Sequence, residues 1–381
     1  MSLNLSELLV LGQGTDLASE RGVSCSGELP RASDPHLVER ARIARAALGE
    51  RALILGHHYQ RDEVIAFADI TGDSFKLAQA AADTTRAEFI FFCGVHFMAE
   101  SADILTSAHQ KVILPDLAAG CSMADMATAN QVNQCWKDLE NIGVASTTVP
   151  VTYMNSSAAI KSFTGEHGGT ICTSSNAQKT LEWAFAKAEK VLFLPDQHLG
   201  RNTAVLSLGL SLEDCVLWNP WKPMGGLTED EIRGAKMILW RGHCSVHGRF
   251  TRDSVNEVRE RVPGVQVIVH PECQHEVVMA ADVVGSTEKI IQTVTNSAPG
   301  SKWAIGTELN LVSRLAQNNP DKEIVFLDKT VCYCSTMNRI DLPHLVWAME
   351  SVLAGHIVNQ IRVEERVARL SKLALEQMLA L

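Results

Sequence analysis

The sequence predicts an α/β protein of three related units, each a parallel β-sheet flanked by helices, with the strand ends of all three facing one central site. Three observations predict it. Short apolar runs, mostly β-branched, recur in three groups. Helical stretches separate the runs, so strand and helix alternate as in βαβ units. Each run ends in polar residues, and open parallel sheets bind ligands beyond the carboxyl ends of their strands.

The first group is ALILGHHYQ (52–60), FIFFCGVHFMAE (89–100) and KVILPDLAAGCSMAD (111–125). The second is TVPVTYMNSS (148–157), GTICTSSNA (169–177) and KVLFLPDQHLGRN (190–202). The third is VQVIVHPECQ (265–274), KWAIGTELN (302–310) and EIVFLDKTVCYCSTMN (323–338). Each opens on four or five apolar residues, the mark of a strand buried on both faces. Helices are expected at 75–82, 177–187 and 274–284. A further strand, KMILWRGHC (236–244), opens the third unit, and LPHLVWAMESVLAGHIVNQI has helical apolar spacing with Pro343 suited to a first turn. The intervals between groups are unequal, which fits three domains rather than a solenoid. The expected division is an N-terminal extension at 1–35, domain 1 at 36–125 joined by C-terminal helices at 340–381, domain 2 at 126–235 and domain 3 at 236–339.

Composition removes several function classes. A chain of 381 residues, 46% hydrophobic and 20% charged, has ample material for two or three cores. No run of apolar residues is long enough to span a bilayer, so no membrane contact is expected. The N-terminus lacks a basic segment followed by an apolar one, which points to a cytoplasmic protein. A net charge of −10 without a basic cluster argues against nucleic acid as a partner. In a reducing compartment the ten cysteines are buried hydrophobes, ligands or nucleophiles rather than a disulfide framework.

Three sheet ends facing one another would make one site, with His57, Tyr153 and His270 converging on a single cavity. Cys121, Cys244 and Cys334 each follow a strand, in a loop with small or polar neighbours. Cys93 and Cys172 end apolar strands and read as core, while Cys135 and Cys215 fall in expected helices. No CxxC pair exists, which disfavours a structural zinc site. Three scattered thiols suit a [4Fe-4S] cluster with one open iron, but on spacing alone such cysteines are more often bystanders.

Twelve motifs then occur in order: GHHYQ, GDSF, FCGVHFMAE, AGCSMAD, TYMNSSA, CTSSNA, PDQHLGRN, WRGHC-SVH, HPEC, GSTEKII, IGTEL and C-STMNRIDL. In these, from about residue 50 to 350, the chain resembles the quinolinate synthases, a family of bacterial and plastid enzymes of de novo NAD biosynthesis. The resemblance implies a pseudo-threefold triangle of three αβα, Rossmann-like domains around a central active site, and a [4Fe-4S] cluster held by Cys121, Cys244 and Cys334, with Cys332 as a spare thiol. It implies that iminoaspartate and dihydroxyacetone phosphate condense to quinolinate, with an aspartate oxidase or dehydrogenase as the functional partner supplying iminoaspartate. His270 and Glu272 then suit an acid/base pair, because i, i+2 positions on a strand end share a side. Tyr59 and Tyr153 suit hydrogen bonding to an enediol, and His57 and Asn155 suit orienting carbonyls or carboxylates. Met98 reads as a pocket wall.

Anionic substrates need local donors in an acidic protein. Ser74 in GDSF, Ser174 and Ser175 in CTSSNA, and Ser286 and Thr287 in GSTEKII each precede a helix. Hydroxyls and free N–H groups there form an anion site, or simply cap the helix. PDQHLGRN suggests Arg201 bonding across a domain interface. Three rival readings remain: a zinc-dependent aldolase or lyase using His57, His270 and Glu272, a non-catalytic iron–sulfur sensor, and a nucleotide-binding protein. The last lacks both GxGxxG and GxxxxGK[ST].

Overall fold

The computed structural model describes residues 29–330 and 333–381. The readings of Cys332 and of the extension up to residue 28 lie outside the described residues. Among the described residues thirteen strands form three sheets, and every ladder between these strands is parallel. The first contains β1 (Ala52–His57), β2 (Ile70–Gly72), β3 (Phe89–Cys93) and β4 (Lys111–Ile113) in the order 2-1-3-4. The second contains β5 (Thr148–Tyr153), β6 (Thr170–Cys172), β7 (Lys190–Leu194), β8 (Cys215–Trp218) and β9 (Met237–Trp240) in the order 6-5-7-9-8. The third contains β10 (Gln266–Val269), β11 (Val283–Val284), β12 (Lys302–Gly306) and β13 (Glu323–Phe326) in the order 11-10-12-13.

The same winding therefore occurs three times. The first strand of each unit lies inside the sheet, the second goes to one side, and the third crosses to the other. Between the first and third strands the winding reverses, which is where doubly wound sheets open a crevice for ligands. β3, β5 and β7 are buried along their whole length, as strands covered on both faces must be.

Three boundaries differ from the sequence reading. β9 pairs with β7 and β8 in the second sheet, so the division at 235/236 cuts a strand from its own sheet. Cys215 begins β8 rather than sitting in a helix. The expected helix at 274–284 ends early, at Ala280, because Val283 and Val284 pair as an edge strand. The C-terminal helices also divide. Leu342–Leu353 packs on Leu37–Leu48 in the first unit, where Arg40 forks onto Glu350 at 2.9 and 2.6 Å. Glu365–Ala380 instead lies on Ala158–Glu166 and β6 of the second unit, with Ser371 donating to Ala158 O at 2.9 Å.

That last contact depends on Gly165, where a Cβ would fall on the Leu370 carbonyl oxygen. Gly165→Ala should therefore force the two helices apart and lower stability by about 1–3 kcal/mol. A denaturant midpoint unchanged from wild type would count against this packing argument.

Candidate active site

The three sheet ends meet at one cavity of about 670 Å³, counted out to its open mouth. Its wall takes the same pair of positions from each unit. His57 ends β1 and Tyr59 follows it, Tyr153 ends β5 and Asn155 follows it, and His270 and Glu272 follow β10. The intervening residue points elsewhere: His58 lies outside the lining, 3.7 Å from Glu288. The local geometry repeats too. The Tyr59 N–H donates to His57 Nδ1 at 3.1 Å, and the Glu272 N–H donates to His270 Nδ1 at 3.3 Å. A neutral ring that accepts at Nδ1 carries its proton on Nε2. Burial depresses both rings, to about 3 each, so each is a neutral donor.

A chain of polar contacts crosses the site. Tyr153 hydrogen-bonds Glu272. Glu272 Oε2 lies 2.6 Å from His247 Nδ1. His247 Nε2 meets Thr307 Oγ1 at 3.1 Å, which meets the Tyr59 hydroxyl at 2.7 Å. That hydroxyl also meets Thr287 Oγ1 at 3.0 Å. Burial alone would raise the Glu272 carboxyl. The rings of His247 and His270, stacked 4.5 Å apart beside it, reverse this and hold it at about 2. Tyr59 and Tyr153 are pushed up by burial and stay protonated. The site thus pairs an ionised carboxylate with protonated phenols and neutral imidazoles, a separation of acid and base suited to proton transfer.

The helix-start loops divide. Ser74, Ser174 and Thr287, the loop residues after β2, β6 and β11, line the cavity. Ser286 does not. Its hydroxyl caps the helix Thr287–Thr295 by accepting the Lys289 N–H at 3.3 Å, and it lines a neighbouring cleft. The bland reading therefore holds at Ser286. Ser175 donates to Asp73 Oδ2 at 2.7 Å, tying the first unit to the second. Met98 lies in the wall, and the Asn155 side-chain oxygen is buried there without a partner.

Cys121, Cys244 and Cys334 all reach the same cavity. Each begins the tripeptide pattern Cys-Ser-x, each is followed by a short 3₁₀ turn, and backbone N–H groups two or three residues on face each sulfur. Gly242 lets the Cys244 loop approach, since a Cβ there would meet the Pro195 carbonyl. Burial pushes the thiols up, Cys121 to about 12, and the three sulfurs lie within electrostatic reach of one another. A bound metal deprotonates such thiols, and the backbone donors already face the sulfurs. Three buried sulfurs from three loops fit a cluster that leaves one iron free. A second donor set overlaps it: the ligand atoms of Cys244, His247 and Glu272 lie within 4.8 Å of one another.

The sequence reading passed over His247, Glu308, Thr307, Asp73 and Thr173. His247 and Glu308 sat inside quoted motifs, and only folding shows what they face. Glu308 caps Leu309–Asn318 by accepting the Asn310 and Leu311 N–H groups at 2.7 and 3.3 Å. Its other oxygen accepts the Cys334 N–H at 3.4 Å, and burial raises it to about 7. PDQHLGRN does bridge two units, but through Asn202 rather than Arg201. Asn202 Nδ2 donates to Pro271 O and Cys273 O at 2.8 and 2.9 Å, fixing the backbone on both sides of Glu272. Among the described residues no helix is long and apolar enough to cross a membrane.

Three wound α/β units closing on buried bases, phenols and thiols define an enzyme that works on small polar molecules away from bulk water. Comparison with known proteins narrows this. The family model described as quinolinate synthetase A protein matches residues 41–380. Quinolinate synthase of Streptomyces coelicolor is 69% identical over 98% of this chain and 95% of its own length. That of a Nocardioides species is 66% identical over 98% and 96%, and that of Acidobacterium capsulatum 55% over 91% and 93%. The chain belongs to the quinolinate synthetase A family.

Proposed function

We propose that this enzyme condenses iminoaspartate with dihydroxyacetone phosphate to quinolinate, forming one C–C and one C–N bond and releasing phosphate and two waters. The atoms balance without an oxidant. What supports this reading is the meeting in one cavity of paired polar residues from all three sheets, in a chain whose relatives carry the name quinolinate synthase. Iminoaspartate needs a supplier, which an aspartate oxidase or dehydrogenase provides.

Cys121, Cys244 and Cys334 are the residues we assign to a [4Fe-4S] cluster. When bound, such a cluster supplies an open iron as a Lewis acid for a substrate oxygen. The rest falls to the chain's own groups. Ser74, Ser174 and Thr287, at helix starts, receive carboxylate and phosphate oxygens. The Nε2–H groups of His57 and His270 donate to carbonyl oxygens, and Asn155 takes an N–H of the imine. Glu272 accepts carbon-bound protons, while Tyr59 and Tyr153 return protons to oxygen. The burial of these groups excludes water from the reactive imine.

The test supplies iminoaspartate freshly from aspartate and an aspartate oxidase, adds dihydroxyacetone phosphate and the anaerobically purified protein, and follows quinolinate and phosphate. Equal formation of both is expected. Neither product, or phosphate alone, would sink the reading. A second reading is a zinc lyase held on Cys244, His247 and Glu272, favoured by that compact donor set. Stoichiometric zinc without iron would decide for it.

A further inference from the structure

Among the described residues, neither lysine nor arginine lines the cavity. Yet every substrate of the proposed reaction is an anion, and the protein carries a net charge of −10. A fully buried cation stands directly behind the wall. Lys161, in the helix Ala158–Glu166, has no exposed surface. Its ammonium donates to Ser156 O and sits 5.3 Å from the centre of the Phe97 ring. Phe97 lines the cavity, and Ser156 adjoins the cavity residue Asn155.

A buried ammonium without a partner is costly, because a carbonyl and a ring face replace its hydration only in part. Among the described residues no carboxylate pairs with Lys161. Glu100 is in electrostatic reach, but its carboxylate already accepts the Ala158 N–H at 2.9 Å. The other group in reach is the Cys121 sulfur, inside the cavity. The charge is thus placed where opposite charge arrives with the cavity's contents. Lys190 offers a contrast: its ammonium is satisfied by Arg233 O and Ala235 O, each at 2.6 Å, far from the site.

We propose that Lys161 is a positioning residue whose positive charge, held behind Phe97 and the Asn155 loop, draws anionic substrate groups into a cavity that has no lysine or arginine among its described lining residues. The inference rests on the function proposed above. It differs from simple packing in what it predicts. A charge that acts equally on bound substrate and transition state changes affinity and leaves turnover nearly alone.

Two variants separate charge from structure. Lys161→Gln keeps a donor for Ser156 O and loses the charge. Lys161→Met fills the same channel and loses both. Quinolinate is titrated calorimetrically into each anaerobically purified protein, alongside steady-state kinetics and thermal melting. Both variants are expected to bind quinolinate more weakly, on the order of tenfold, with a matching rise in KM and kcat little changed. Wild-type affinity in a folded Lys161→Gln protein overturns the inference, as does a loss confined to Lys161→Met, which would assign the effect to the Ser156 hydrogen bond. If the wild-type protein neither forms nor binds quinolinate, the functional reading fails and takes this inference with it. Wild-type turnover with unchanged Lys161→Gln affinity removes the inference alone.

Discussion

Anaerobically purified protein should carry iron and inorganic sulfide, about four of each, and alanine at Cys121, Cys244 or Cys334 should remove both together with quinolinate formation. The expected effect is a complete loss, because each of the three loops contributes one thiol to the shared cavity. Among the described residues no neighbouring thiol is placed to substitute. Cys273, beside Glu272 in sequence, is fully buried and turns its sulfur to Gly306 O at 3.8 Å. Cys93 is core. Cys332→Ala should leave iron, sulfide and activity intact, since the Cys-Ser-x pattern shared with the other two loops starts at Cys334. Iron and sulfide retained in Cys334→Ala would break the ligand assignment. Loss of iron only in Cys244→Ala, His247→Ala and Glu272→Ala would transfer it to the compact set of mixed donors.

The motifs that proved legible share a physical cause. β1, β3, β5, β7, β9, β10 and β12 are the inner strands, and burial on both faces leaves a continuous apolar run that sequence can display. β2, β8 and β11 are edge strands of three, four and two residues. β2 and β11 are too short to display a run, whereas β8 is the apolar run CVLW that was passed over, with Cys215 read as helical. The paired positions at strand ends were readable because alternate residues share a side. His247 and Glu308 were not, because their roles come from contacts between units: His247 reaches Glu272, and Glu308 reaches the Cys334 loop. Asn202 is the same kind of case. Its partners are backbone carbonyls in another unit, which carry no signature in side-chain pattern.

Glu272→Gln should lower kcat by about 10²–10⁴-fold, the usual worth of a positioned acid/base group, with the fold intact. Glutamine keeps the size and can still meet Tyr153, but it offers His247 and His270 no charge. In the wild-type protein burial opposes ionisation of this carboxyl, and the two rings overcome it, holding the group at about 2. The folded value lies below the ordinary 4.5, so the stability that the carboxylate contributes is present above about pH 4.5 and lost as pH falls through about 2. Glutamine does not titrate, so Glu272→Gln should flatten that part of the acid-unfolding curve. His247→Asn removes the same contact from the other side. If the pair acts as a unit, the double variant should be hardly slower than either single one. Multiplying losses would mean that Glu272 and His247 act on separate steps, and an active Glu272→Gln enzyme would pass the base to another group. Asn202→Ala offers an independent check, because it leaves Glu272 in place but releases the carbonyls of Pro271 and Cys273 that flank it. Its kcat should fall in the same direction and by less, since a misplaced carboxylate still samples the working position.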